Sequence, residues 1–156
     1  DVVHVISGGD VDSLTFIKYL LRFQKLEYLL FSTWCMATDD ILLFDEWISS
    51  GQIGRLDAYV GEIFTGSYSK EYDLLKKVVN KCDGRVCVFR NHSKVFAGKG
   101  DKFSFIIESS ANINTNPRAE NTVITISEEA YNFYKDHFDN ITSFTRDYTN
   151  WRPYEH

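Results

Sequence analysis

Residues 85–126 read RVCVFRNHSKVFAGKGDKFSFIIESSANINTNPRAENTVITI, and the spacing of apolar, glycine and polar residues in this stretch decides the fold. Arg85–Arg90 and Lys94–Ala97 have the short, β-branched and aromatic composition of strands. Gly98-Lys99-Gly100-Asp101, set between Lys94–Ala97 and Phe103–Ile107, predicts a hairpin turn and hence an antiparallel pair. A polar stretch, Ser109–Ala119, then precedes a further strand, Asn121–Ile126. Ser127 followed by Glu128 and Glu129 reads as a helix start, with serine as the N-cap and acids where the helix dipole favours them. The spacing predicts a helix over 128–140, burying Ala130, Phe133, Tyr134, His137, Phe138 and Ile141, followed by an aromatic and charged tail.

Upstream of this stretch the pattern alternates. Val2–Ser7 is a β-branched run, and Gly8-Gly9 leads into a helix over Asp10–Gln24 with Val11, Leu14, Ile17 and Leu21 on one face. Tyr28–Ser32 predicts a strand, Asp39–Ser49 a helix with Ile41, Phe44 and Ile48 inward, and Asp57–Val60 a third strand. Ser69–Lys81 supplies another helix, with Tyr72, Leu75 and Val79 on its apolar side. Strands alternating with helices, plus one hairpin, imply an α/β fold: a mixed β-sheet flanked by helices on both faces. A chain of 156 residues, 44% hydrophobic and without repeat or linker, fits one domain over 1–156 with a sizeable core.

Composition narrows the function classes. No apolar run approaches the about 18 residues of a membrane span, and no secretory pattern is present, so a cytoplasmic protein without membrane contact is expected. Cys35, Cys82 and Cys87 form no CxxC pair and lack histidines at zinc-site spacing, which suggests reduced thiols and no metal. The net charge of −5 argues against indiscriminate coating of nucleic acid. Charge is nevertheless uneven: Arg85–Arg118 carries a net +4, against −9 for the rest, which suits a local anion pocket on an acidic body.

Three clusters in that basic stretch carry chemistry. On an extended chain His92 and Lys94 share a face, because side chains alternate with period two; Ser110 and Asn112 obey the same rule. An imidazole beside lysine, asparagine and serine donors meets the needs of a phosphoryl group: the donors hold its non-bridging oxygens while histidine attacks phosphorus.

The clusters resemble the signature of the phospholipase D superfamily, H-x-K-x4-D followed by G-S-x-N. His92-Ser93-Lys94 matches the first element, and Ser109-Ser110-Ala111-Asn112 the second with Ser109 in place of glycine. Arg118-Ala119-Glu120-Asn121 is similar to the R-x-E-N element of the small single-motif bacterial nucleases of that superfamily. The departure is Lys99 at the position of the motif aspartate; Asp101 lies two residues beyond. The resemblance implies a metal-independent and cofactor-free phosphodiesterase, with nucleic acid as the expected substrate. It implies catalytic roles for His92, Lys94, Asn112 and Glu120 and substrate contacts from Ser109, Ser110 and Arg118. His92 would form a phosphohistidine and Glu120 would orient its ring. Because the chain holds one H-x-K, a homodimer would bring a second His92 as general acid. The alternative within the same fold is a phosphate- or nucleic-acid-binding module that lost turnover with the aspartate.

A competing signal is Ser7-Gly8-Gly9-Asp10-Val11-Asp12-Ser13, which resembles the S-G-G-x-D-S loop of ATP pyrophosphatases with one residue inserted. Its other reading is a tight strand-to-helix turn capped by Asp10 or Asp12. His4 and His137 read as structural, Asp39-Asp40 as a helix start, and Trp34 as loop packing at the end of the sheet. Tyr131, Tyr134 and the aromatics of 144–151 serve either base stacking or packing.

Overall fold

Seven strands, β1 (Val2–Ser7), β2 (Leu26–Thr33), β3 (Leu56–Gly61), β4 (Val86–Phe89), β5 (Val95–Gly100), β6 (Ser104–Ser109) and β7 (Glu120–Ile126), form one mixed sheet. Their order is β1-β7-β6-β5-β2-β3-β4. This is a computed structural model describing residues 1–114 and 117–141. Helices α1 (Ser13–Leu20), α2 (Thr38–Ser49) and α3 (Ser69–Asn80) follow β1, β2 and β3, and α4 (Glu128–Asp139) follows β7. β2, β3 and β4 pair in parallel, whereas β2–β5, β5–β6, β6–β7 and β7–β1 pair antiparallel. Four antiparallel steps from β2 return β1 to the direction of β2. The carboxyl ends of β1, β2, β3, β4 and β6 therefore meet the amino ends of β5 and β7 at one edge.

Strand alternation divides the core. Leu29 and Phe31 of β2, Ala58 and Val60 of β3, and Phe96 of β5 pack under α1, α2 and α3. Leu30, Tyr59, Cys87, Ala97 and Ile106 point to the opposite face, where Tyr131, Phe138 and Ile141 cover them. Helices on both faces, as the pattern of apolar residues predicts, follow from burying both sides of the central strands.

Several details depart from the periodicity. The first helix begins at Ser13 rather than Asp10, because the Asp12 carboxylate accepts from Leu14 N at 2.9 Å and caps it there. The strand expected to stop at Ala97 continues to Gly100, with Lys99 paired to Ser104, so the turn falls on residues 101–103. Gly98 belongs to the strand for a packing reason: a Cβ there would stand 2.4 Å from the Phe105 ring. On α4, Phe133 and His137 are exposed rather than buried. The contacting stripe is Tyr131, Tyr134 and Phe138, leaving positions 133 and 137 to solvent. His4 is exposed on the edge strand β1, and none of the three cysteines is joined in a disulfide. No helix among the described residues is long and apolar enough to cross a membrane.

Candidate active site

In an α/β sheet, ligands settle outside the carboxyl ends of strands where connections diverge to either side. Here that place lies beyond β2, whose neighbours are β3 on one side and β5 on the other. A cavity of about 400 Å³ opens there, and His92, Lys94, Ser110, Asn112, Arg118 and Glu120 all line it. The fold thus gathers six of the seven expected site residues, from three separate segments, on one pocket.

His92 and Lys94 are displayed by an anchored segment between β4 and β5. The buried Asn91 donates from Nδ2 to Ser32 Oγ at 2.8 Å and to Tyr59 O at 3.0 Å, and its Oδ1 accepts from Ser93 N at 3.0 Å. Ser93 Oγ also donates to Asn91 Oδ1, at 2.6 Å. With Asn91 and the Ser93 hydroxyl bonded to each other and to Ser32, His92 and Lys94 are left to line the cavity. Lys94 Nζ lies 3.1 Å from His92 Nδ1 and donates to His92 O at 2.8 Å. A protonated lysine is a donor only, so in this contact Nδ1 is the acceptor. Burial lowers the Lys94 pKa below its ordinary value, against the opposing pull of Cys35 and Glu120.

The second segment continues β6. Ser110 Oγ donates to Glu120 Oε2 and accepts from Asn121 N at 3.1 Å. Glu120 is therefore bonded to Ser110, not to His92 as expected. Asn112 Oδ1 accepts from Trp34 N at 3.2 Å, and its backbone oxygen accepts from Ser13 Oγ at 3.1 Å. These bonds hold the Asn112 carbonyl side against the protein and leave its NH2 for the pocket. Ser109 does not join the lining. Its hydroxyl meets Asn121 O and Thr122 Oγ1 and accepts from Ala111 N, so it shapes the turn out of β6.

The motif position held by Lys99 is far from this chemistry. Five residues of strand separate it from Lys94, about 16 Å at the usual rise. Its ammonium lies 3.7 Å from Glu128, and both Lys99 and Asp101 border a different cavity. Asp101 thus cannot stand in for the aspartate within the pocket.

Three further residues line the site without a signal in the motif pattern: Trp34 and Cys35, just beyond β2, and Asn114. Cys35 Sγ donates to Asn114 Oδ1 at 3.2 Å; burial pushes this thiol upward while Lys94 pulls it down. The glycine turn after β1 also borders the cavity through Gly9, Val11 and Ser13. Gly9 has φ +90°, a conformation that favours glycine, and Asp12 caps α1, as the turn reading requires. Tyr131 is core, and the Tyr134 ring packs against Phe133 and Phe138 while its hydroxyl donates to Glu108; residues 144–151 lie outside the described residues. Among the described residues no group of three or more His, Cys, Asp or Glu side chains could hold a metal ion.

No protein-family model and no curated protein matches the sequence. Among solved structures, the chain is similar to polyphosphate kinase from Porphyromonas gingivalis, at TM-score 0.64 and 10% identity, over 86% of this chain and 25% of that one. It is also similar to phosphatidylserine synthase from Haemophilus influenzae Rd KW20, at TM-score 0.65 and 13% identity, over 97% of this chain and 41% of that one. The chain thus spans between a quarter and about two fifths of the proteins it resembles. At such identities the likeness is one of fold, and the mixed seven-stranded α/β architecture is phospholipase D-like.

Proposed function

We propose that this chain is a phosphodiesterase acting through a phosphohistidine at His92, with nucleic acid as the expected substrate. The observation that carries this reading is the convergence of His92, Lys94, Ser110, Asn112, Arg118 and Glu120 on one cavity at the carboxyl edge of the sheet. Lys94 Nζ and the Asn112 amide hold the non-bridging oxygens, and Arg118 adds charge at the rim, where the developing negative charge needs fixed donors. A phosphate oxygen draws the Lys94 ammonium off His92 Nδ1, and the imidazole then presents a lone pair to phosphorus. The P–N bond forms as the ester P–O bond breaks. The leaving alkoxide takes a proton from a general acid, which then removes a proton from the water that cleaves the P–N bond. His92 is the only histidine lining this cavity among the described residues, so the acid is assigned to His92 of a second copy in a homodimer. The scheme uses no metal.

The test is turnover of bis-p-nitrophenyl phosphate and of DNA in EDTA, by the wild type and His92→Ala. Metal-independent turnover lost in the variant is the expected result; equal rates in the two proteins refute the reading.

A further inference from the structure

We propose that Trp34 is the positioning residue for the His92 imidazole; this rests on the reading of His92 as nucleophile and adds a residue to it. An exposed imidazole on a loop turns about two side-chain torsions, and a nucleophile must hold both near the attack geometry. The hydrogen bond to Lys94 fixes one ring nitrogen, and in the scheme above that bond is given up when the phosphate arrives. Glu120, which could have oriented the ring, is bonded to Ser110. What remains against the imidazole is the Trp34 indole, with ring centroids 5.9 Å apart and planes tilted by 49°.

The indole is itself held in place. Trp34 N donates to Asn112 Oδ1, and Thr33 Oγ1 donates across the bend to Cys35 O at 2.8 Å. Beneath the ring lies Gly61, the last residue of β3, where a Cβ would stand 2.5 Å from Trp34 Cδ1 and 3.1 Å from Trp34 O. A glycine in a buried strand forgoes packing and costs backbone entropy. Here it makes room for the indole. Trp34 is thereby a fixed wall that restricts His92 in the step when Lys94 is engaged with substrate, and its backbone amide is bonded to Asn112, the other oxygen-holding group.

The test is steady-state kinetics on bis-p-nitrophenyl phosphate for wild type, His92→Ala, Trp34→Ala, Trp34→Phe and Gly61→Ala. In Trp34→Ala kcat is expected to fall roughly ten- to a hundredfold, the scale of a misplaced reacting group, with KM within about twofold. Trp34→Phe, which restores an aromatic wall, recovers most of the rate. Gly61→Ala, which displaces an unaltered indole, repeats the kcat loss. A rise in KM at constant kcat would mean that the indole holds substrate and would overturn the proposal, as would unchanged kinetics in Trp34→Ala. If wild type is inert, or His92→Ala matches it, the phosphodiesterase reading falls and this proposal with it. If His92→Ala is dead while Trp34→Ala keeps its kcat, only the positioning role is lost.

Discussion

Replacing Asn91 with alanine tests whether a buried amide, rather than the motif residues alone, builds the site. The side chain is only 3% exposed and satisfies three groups on three elements: Ser32 Oγ at the end of β2, Tyr59 O in β3 and the Ser93 amide before β5. Truncation leaves these partners short of a bond in a place water reaches poorly. At roughly 1 kcal/mol for each hydrogen bond lost, the cost is about 3 kcal/mol. That is a large share of the about 5–15 kcal/mol that holds a domain together. For a chain of this length it corresponds to a fall in Tm of about 6–12 °C. Urea unfolding followed by circular dichroism measures it, with the midpoint lowered and the slope unchanged. Because His92 lies between Asn91 and Ser93, phosphodiesterase turnover well below the new Tm should also drop. A destabilisation under about 1 kcal/mol with wild-type turnover would refute the claim that this network presents His92.

Two further substitutions probe the frame and its pH response. Arg85 donates to Phe138 O at 2.8 Å, Asp139 O at 3.3 Å and Ile141 O at 3.2 Å, and so caps the carboxyl end of α4 while also bonding the Tyr59 hydroxyl. Arg85→Ala should destabilise the chain by about 2 kcal/mol and speed amide exchange in α4 more than in α2 or α3; uniform exchange refutes the capping role. The Asp40 carboxyl, in the first turn of α2, is pushed up to about 6 by burial, although it accepts from Ala37 N at 2.9 Å. A raised acid favours the protonated folded form, so its stabilisation is complete below roughly pH 4 and is lost as pH rises through about 6. Asp40→Asn keeps the acceptor and removes the titration, so as pH rises from roughly 4 through about 6 it should gain on wild type by up to about 3 kcal/mol, nearer about 2 once solvent screening of the partly exposed carboxyl is allowed for. Parallel stability curves for the two proteins would exclude that assignment.

The sheet was legible because its signals are local. Val86–Phe89, Phe103–Ile107 and Asn121–Ile126 announce themselves by β-branched and aromatic runs, and the alternation of Leu29, Leu30 and Phe31 between two cores follows from the pleat. Helix faces were harder. The expected face at 130, 133, 134, 137, 138 and 141 is too wide for one stripe: the neighbouring strands keep Ala130, Tyr134, Phe138 and Ile141, add Tyr131, and leave Phe133 and His137 to solvent. Periodicity points to Phe133 where the structure buries Tyr131, since it fixes a spacing but not which of two adjacent stripes meets the sheet. Strand β5 outran its expected end because Gly98 and Gly100 look like turn residues. They are in fact close-approach positions, against Phe105 and Gln24. The site shows the same division. Spacing paired His92 with Lys94, and Ser110 with Asn112, whereas Trp34, Cys35 and Asn114 enter the cavity only through the bend after β2 and the loop after β6, which no linear pattern encodes.

The lysine that stands where the resembled motif has aspartate reads differently once position 99 is placed. A missing acid inside the cavity would remove a charge from the reacting groups. At the other end of β5, by contrast, lysine meets Glu128 at the start of α4, on a partly exposed surface where an ion pair contributes little. The spacing from His92 to position 99 therefore measures the length of a strand, from its site end to its hairpin end. A substitution at that hairpin alters how β5 is tied to α4 and leaves the lining of the cavity as it was. The reading of this chain as a degraded site thus draws no support from Lys99, and the question of turnover rests on the groups that surround His92.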